Sequence, residues 1–477
     1  MKIRDKQSTK IVATLGPASR DEEMLLKLIE NGTDIFRLNF SHGDHATHGE
    51  TIKRIVNINK QHNLHIGILA DLQGPKLRVG DMTDGGVELN KGDEIIFTNE
   101  ECMGTKERAY MSYERFAKDV SVGEKILVDD GTMMFEVVNT DSEKNVTLKT
   151  LYGGILKSNK GVNLPDTNIS LPAMTEKDLI DLKYILTQPV HWIALSFVRT
   201  AEEIRDLKAM IKESGHIAKV IAKIEKPEAV KNIKEIIKAT DAIMVARGDL
   251  GVEVPIEKIP FIQKNIIKRC IQKAKPVIVA TQMMDSMITN FNPTRAEVTD
   301  VANAVHDGAD AVMLSGETSV GNHPERVVEA MSNIIEEAEK NYMIQGKRAK
   351  TDKSSKTFHS DVICITAAKT AEEVNAKAIL SVTESGYTAF KISSYRPPCR
   401  IYVFTSQHEM SCLMNLVWGV KSLLYNKFTT TDETIEDLTN ILKEKEFLKK
   451  GDVVINTGSM PIKRKFRTNM LKLTVIE

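Results

Sequence analysis

The stretch ILADLQGPKLRVG (residues 68–80) carries an apolar strand to a lone acid, Asp71, and then breaks through Gly74 and Pro75 toward Lys76. A short apolar run that stops at a Gly-Pro pair reads as a buried strand whose chain then leaves its sheet. Seven further runs share its texture: TKIVATLG (9–16), TDIFRLNF (33–40), HWIALSFV (191–198), AKVIAKIE (218–225), AIMVARGD (242–249), KPVIVATQ (275–282) and DAVMLSGE (310–317). Most are separated by amphipathic helical segments such as EEMLLKLIENG, AEEIRDLKAMIKESG and RVVEAMSNIIEEAEKN. Strands alternating with helices give right-handed crossovers and a parallel sheet, and eight such units are the count of a closed (β/α)8 TIM barrel, an α/β fold.

The third and fourth runs are far apart, and the interval has a different pattern: DGGVELNKGDEIIFTN, GEKILVDDGTMMFEVVN and NVTLKTLYGG alternate in short strands broken by turn residues. This reads as an inserted all-β domain over 75–165, placed to act as a lid over the barrel formed by 1–74 and 166–345. A polar, lysine-rich stretch, GKRAKTDKSSK (346–356), reads as a linker opening a C-terminal α/β region over 346–477. Its candidate strands are VICITAAK, AKAILSVT, RIYVFT, GDVVINT and MLKLTVIE.

The 477 residues exceed a single core, and 65 Lys+Arg balance 65 Asp+Glu, so no overall basic field favours nucleic acid. Five scattered cysteines without CxxC spacing argue against a disulfide framework or a zinc ribbon and fit a cytoplasmic protein. No segment has the apolar length of a membrane span, and the charged MKIRDKQSTK is not a signal peptide.

Barrel chemistry collects at the C-terminal ends of the strands. There the runs place Arg37, Asn39, Ser41, Asp71, Ser196, Arg199, Lys223, Glu225, Arg247, Asp249, Thr281, Gln282, Ser315 and Glu317. Glu225 and Asp249 supply two hard carboxylates suited to Mg²⁺ or Mn²⁺ with open positions left for substrate. Arg37, Lys223 and Arg247 add the cations that a phosphoryl group in transfer requires, although Arg247 has the plainer reading of a loop buttress paired to a carboxylate. Thr281 and Ser315 bring hydroxyls able to relay a proton. No GxxxxGK[ST] motif is present, so a nucleotide is not held by a P-loop. The histidines of SHGDHATH (41–48) read as a helix start rather than a metal cluster, since their spacing is three. Met283, Met284 and Met287 read as packing residues.

The motifs KIVATLGPASR, FRLNFSHG, KIEKPEAV, VARGDLGVE, ATQMMDSM, NPTRAEVTDVANAV and MLSGETS closely resemble the pyruvate kinase family, over essentially the whole chain. The resemblance implies phosphoryl transfer from phosphoenolpyruvate to ADP, giving pyruvate and ATP in the final step of glycolysis, in an allosteric homotetramer. It implies that Arg37 and Lys223 hold the phosphoryl group, Glu225 and Asp249 bind Mg²⁺ or Mn²⁺, and the backbone of Ala246, Arg247, Gly248 and Asp249 seats the carboxylate. Thr281, Ser315 and Glu317 would lie on the proton-donating side, and Asn39, His42, Arg78 and the lid's Lys160 near the ADP phosphates.

Asn39, Ser41 and Asp71 match the site that holds K⁺ in many members, but DLQGPKLRV has Lys76 where those members typically have glutamate, and so resembles the K⁺-independent branch. An ammonium 4 Å from Asp71 would contribute about 4 kcal/mol of gross attraction at an effective dielectric near 20. Lys76 is therefore expected to replace potassium, against the plainer reading of a solvent-facing hinge lysine. In the C-terminal region, Thr383, Ser385, Gly386 and Thr388 form a hydroxyl-rich turn that reads equally as a plain strand-to-helix turn and as a phosphate cradle. The resemblance favours an effector phosphate site there, while SMPIKRKFRTNM departs from the Gly-rich effector loop of fructose-1,6-bisphosphate-activated members. A Mg²⁺-dependent pyruvate or enolate lyase and a catalytically silent metabolite sensor are the alternatives.

Overall fold

The structure is a computed structural model that describes residues 4, 6–341, 351, 353–427, 430–460 and 467–477. Much of the expected linker, and Lys463, Arg464 and Lys465 of the closing basic run, lie outside the described residues. The eight apolar runs become β1 (Lys10–Thr14), β2 (Ile35–Asn39), β3 (Gly67–Asp71), β4 (Trp192–Leu195), β5 (Lys219–Ile224), β6 (Ala242–Ala246), β7 (Val277–Ala280) and β8 (Ala311–Leu314). They close into a barrel with neighbour order β1-β8-β7-β6-β5-β4-β3-β2, all pairs parallel.

Each strand is buried on both faces, which is why the sequence runs are continuously apolar instead of alternating. Inward residues such as Val12, Leu69, Trp192, Met244, Ile278 and Met313 fill the lumen. Outward ones such as Ile11, Ile68, Val220 and Val279 pack on the helices. The helix Pro324–Asn341 shows how these covers form: Val327, Val328, Met331, Ile335 and Ala338 recur at helical spacing and are buried. Ala201–Glu213 begins at a Thr200/Glu203 capping box that satisfies its first free N–H groups.

The insertion is a six-stranded sheet in the order Val162–Asn163, Lys125–Val128, Met133–Thr140, Asn145–Tyr152, Glu94–Thr98, Arg108–Tyr110, with a smaller Val87–Leu89/Gly154–Leu156 pair. It has its own core, around Phe97, Phe116 and Phe135. Two short helical turns, Thr83–Gly85 and Phe116–Asp119, depart from the all-β expectation.

The C-terminal region is a five-stranded sheet of β9 (Ala378–Val382), β10 (Arg400–Thr405), β11 (Val420–Leu424), β12 (Val453–Gly458) and β13 (Met470–Val475), ordered β11-β10-β9-β12-β13 with only β13 antiparallel. The expected strand VICITAAK is instead part of a helix, Phe358–Glu373. Its apolar run continues into alanines, so that Cys364, Ala367, Ala368 and Ala371 are buried at helical spacing, a periodicity that a short window around Val362–Thr366 hides. Strand β11 was not expected: VKSLL is an edge strand interrupted by Lys421 and Ser422. Leu413 and Leu416 from this domain close the base of the barrel, where the Trp192 indole donates to the Leu413 carbonyl at 3.1 Å.

Candidate active site at the barrel mouth

At the C-terminal ends of β2 to β5 a chain of charges is buried. Arg37 Nε donates to Asp71 Oδ2 at 2.7 Å, and its Nη1 to Thr14 Oγ1 at 3.0 Å. Lys223 Nζ lies 3.4 Å from Asp71 Oδ1 and 2.9 Å from Glu225 Oε1, and donates to Ser196 Oγ at 2.7 Å. The Ser196 hydroxyl donates in turn to the Leu72 carbonyl at 2.7 Å. Burial alone would push the Asp71 carboxyl up, but the charges of Lys223 and Arg37 hold it below the usual carboxylate range. For Lys223 burial opposes the charge, and Asp71 and Glu225 outweigh it, so the ammonium is held firmly protonated. Glu225 is pushed up by burial and by the charge of Asp249, with Lys223 acting against both. Two carboxylates that repel each other, one buried and the other, Asp249, lining the cleft to the lid, suit a divalent cation, so the residues fit Mg²⁺ or Mn²⁺. The Phe197 N–H fixes Glu225 by donating to Oε2 at 2.6 Å.

The opposite wall is built from β6, β7 and β8. Thr281 sits at φ +65° and Gln282 at φ +53°, a left-handed turn that β-branched residues seldom adopt and that marks a functionally constrained backbone. It aims the Thr281 hydroxyl so that it accepts from Gly248 N at 2.7 Å and donates to the Ala280 carbonyl at 2.6 Å. Arg247 binds Asp300 at 2.7 Å and the Thr281 carbonyl at 3.0 Å, which is the buttressing arrangement. Glu317 accepts from Met284 N at 3.2 Å and Ser315 N at 2.6 Å, and burial raises its carboxyl. The Ser315 hydroxyl is buried without a hydrogen-bond partner among the described residues. Met283, Met284 and Met287 are fully buried, as packing residues should be.

Between barrel and lid lies a cleft open to solvent, lined by Lys76, Asn163, Phe197, Arg199, Lys226 and Asp249, among others. Lys76 is exposed, and its charge, with those of Arg78 and Arg37, adds to burial in lowering the His42 imidazole. Among the described residues no ion pair joins Lys76 to Asp71; Arg37 and Lys223 already occupy that carboxylate. The expected direct pairing is therefore corrected, and Lys76 contributes charge to the cleft itself. Asn39 Oδ1 accepts from Ser41 N at 3.1 Å, Arg78 Nη1 donates to the Asn159 carbonyl at 2.7 Å, and Lys160 pairs with Asp129 at 2.8 Å within the lid. Asp44 caps the helix His45–His62, His45 pairs with Asp181 and His48 bonds the His42 carbonyl, so the histidine run is a helix start.

Two sequence comparisons and one structural comparison bear on this site. A family model described as pyruvate kinase, barrel domain, matches residues 6–328, and one described as pyruvate kinase, alpha/beta domain, matches 361–474. The chain belongs to the pyruvate kinase family. It is 42% identical over 474 residues to a pyruvate kinase of Geobacillus stearothermophilus, covering 99% of this chain and 81% of that protein. It is also 42% identical over 474 residues to a pyruvate kinase of Clostridium perfringens, covering 98% and 100%. A crystal structure of a pyruvate kinase from Cryptosporidium parvum superposes with a TM-score of 0.92 at 34% identity, covering 99% of this chain and 97% of that one. Pyruvate kinase membership makes the chain a phosphotransferase built as barrel, lid and C-terminal α/β domain.

Two lid anchors of this pyruvate kinase fold go beyond the sequence reading, which placed Arg199 at a strand end without its partners and did not single out Asn163, Lys226 or Glu253. Asn163, on the lid's return strand, donates to Glu253 Oε1 at 2.7 Å, and Lys226 binds the same oxygen at 2.5 Å. Arg199 donates to the carbonyls of Ile169 and Leu171, tying the lid's exit segment to the barrel. Lys226 and Glu253 stand inside KIEKPEAV and VARGDLGVE, but no local pattern shows that they meet each other and Asn163 across three segments. In the C-terminal turn, Thr383 Oγ1 accepts from Gly386 N at 3.1 Å and the Thr388 hydroxyl bonds that of Thr468, while Ser385 is exposed. No helix among the described residues is long and apolar enough to cross a membrane.

Proposed function

We propose that this chain transfers the phosphoryl group of phosphoenolpyruvate to ADP, giving pyruvate and ATP, as the closing step of glycolysis. The observation that carries the reading is the buried Lys223 ammonium, held between Ser196, Asp71 and Glu225 and next to Arg37 through their shared Asp71. Fixed cations of this kind stabilise charge on a transferring phosphoryl group without reorganising. Arg37 and Lys223 hold the phosphoryl oxygens as an ADP β-phosphate oxygen bonds to phosphorus and the bond to the enolate oxygen breaks. The turn from Ala246 to Asp249 seats the substrate carboxylate. The enolate electron pair then takes a proton at the methylene carbon from the wall bearing Thr281, Ser315 and Glu317. The unpartnered Ser315 hydroxyl and the raised Glu317 carboxyl suit that wall to deliver it.

Bound at Glu225 and Asp249, Mg²⁺ or Mn²⁺ supplies charge neutralisation and orientation of the substrate oxygens. Asn39, His42, Arg78 and Lys160 ring the nucleotide phosphates, Lys76 stands in for potassium by its charge in the cleft, and the region Thr383–Thr388 is the effector candidate. A cytoplasmic homotetramer is part of the same reading. The test is product stoichiometry: phosphoenolpyruvate, ADP and Mg²⁺ should yield equal pyruvate and ATP, with both lost together in Glu225→Gln. Carbon–carbon cleavage or condensation of pyruvate without ADP would support a lyase instead, and binding without turnover a sensor.

A further inference from the structure

The base of the barrel, opposite the catalytic mouth, gathers three groups that phosphoryl transfer does not use. His65 lies in the loop entering β3, while His408 and Cys412 lie one turn apart on the short helix His408–Leu413 of the C-terminal domain. One ligand atom from each falls within 4.8 Å of the others. His408 Nδ1 is 3.7 Å from Cys412 Sγ, and the His65 and His408 rings meet edge-on at 5.1 Å between centroids. Tetrahedral zinc, with Zn–S near 2.3 Å and Zn–N about 2.0–2.1 Å, sets nitrogen and sulfur about 3.6 Å apart, so that pair already has the required separation. His65 Nδ1 is buried with no hydrogen-bond partner among the described residues, and the Cys412 side chain is fully buried. An imidazole nitrogen left unpaired in a protein interior calls for an explanation, and a missing cation provides one.

We propose that His65, His408 and Cys412 form a second metal site, selective for a borderline-soft divalent cation of the zinc type, which bridges the barrel base and the C-terminal domain. Two imidazoles and a thiol with no carboxylate among them disfavour Mg²⁺ and favour Zn²⁺, with the fourth position left to water. Both histidines are partly exposed, giving the ion a route in. The anchoring is mutual: Asn415 donates to the His65 carbonyl at 2.6 Å, and a Cβ on Gly67 would meet the Cys412 carbonyl at 3.0 Å, so loop and helix are already locked together. Cysteine ligates as the thiolate, so binding displaces the thiol proton: the Cys412 S–H bond is lost, a metal–sulfur bond forms, and one proton goes to solvent. The same helix carries Met410, against which Gly386 of the candidate effector turn packs, so an ion held there shares an element with that turn.

The test titrates the metal-stripped full chain with Zn²⁺, and with Co²⁺ as a spectroscopic probe, in excess Mg²⁺ to occupy the catalytic carboxylates. The expected result is one Zn²⁺ per chain, tightening about tenfold per unit rise in pH as one proton is released. Co²⁺ should show tetrahedral bands with thiolate charge transfer. Cys412→Ser should abolish the charge-transfer band and weaken Zn²⁺ by at least about 10-fold, the scale seen when even an outer partner of a ligand is lost. His65→Gln and His408→Gln, at partly exposed positions, should weaken it likewise should Cys412→Ser fold poorly. Absence of binding, or binding indifferent to all three substitutions, would overturn the proposal.

Discussion

Replacing Lys223 with methionine removes one charge while nearly keeping the length of the side chain, and the surrounding geometry sets the cost. At 2.9 Å from Glu225 and 3.4 Å from Asp71, the ammonium has gross attractions of about 6 and about 5 kcal/mol at an effective dielectric near 20. Asp71 keeps its 2.6 Å contact with Arg37, so the carboxylate left without its cation is Glu225. Leaving one buried partner unpaired costs about 3–5 kcal/mol, and the surviving Arg37 contact places Lys223→Met near the lower end, about 3 kcal/mol in denaturant-induced unfolding. The catalytic loss should be larger. Removing a fixed charge-stabilising donor slows turnover about 10²–10³-fold, and a full cation should cost at least that. Pyruvate formation coupled to NADH oxidation gives kcat, while exchange of pyruvate methyl protons in D₂O reports the protonating wall separately. Lys223→Met should lose turnover far more than exchange. A folded variant with kcat within about tenfold of the parent would refute the assigned role, given that scale.

Thr281→Val keeps the shape but removes the acceptor of the Gly248 N–H; it should depress methyl-proton exchange and kcat together with little change in KM for phosphoenolpyruvate, as steady-state and exchange rates will show. Asn163→Ala takes away the lid's bond to Glu253 and should raise KM for ADP several-fold while leaving thermal stability near the parent's, read by initial rates and calorimetry. Burial lowers His191 to about 3, and its Nδ1 accepts from Ile68 N at 3.0 Å, so the folded chain binds fewer protons there than the unfolded one. The stability this group contributes is complete above its ordinary value of 6.5 and is lost as pH falls toward 3. His191→Asn, whose amide oxygen can accept from the same N–H, should flatten the fall of Tm over that range.

The barrel was legible because its strands are buried on both sides and so read as eight unbroken apolar runs, and the lid because alternation and turns replace them between Pro75 and Pro165. The C-terminal domain was harder. VICITAAK (362–369) reads as a strand until the buried positions running on to Ala371 show a helical period, and the edge strand at Val420–Leu424 carries too much polar character to stand out. Motifs at strand ends named Arg37, Lys223 and Glu225, which the structure joins through Asp71, and named Thr281 and Glu317 on the facing wall. Partnerships were another matter. That Asp71 is consumed by Arg37 and Lys223, leaving Lys76 in the cleft, depends on side-chain directions at neighbouring strand ends. Asn163, Lys226 and Glu253 meet only after the lid folds back, as do His65 and Cys412 once two domains dock, and no spacing within a segment encodes such meetings.

The central claim is tested most directly by the initial rate of pyruvate formation from phosphoenolpyruvate, ADP and Mg²⁺ in a potassium- and sodium-free tetramethylammonium buffer, with and without KCl, for the parent chain and Lys76→Glu. The account predicts full parental activity without potassium and a potassium requirement in the variant. Parental activity that appears only with KCl would contradict the role given to Lys76, and no pyruvate under either condition would contradict the assigned reaction.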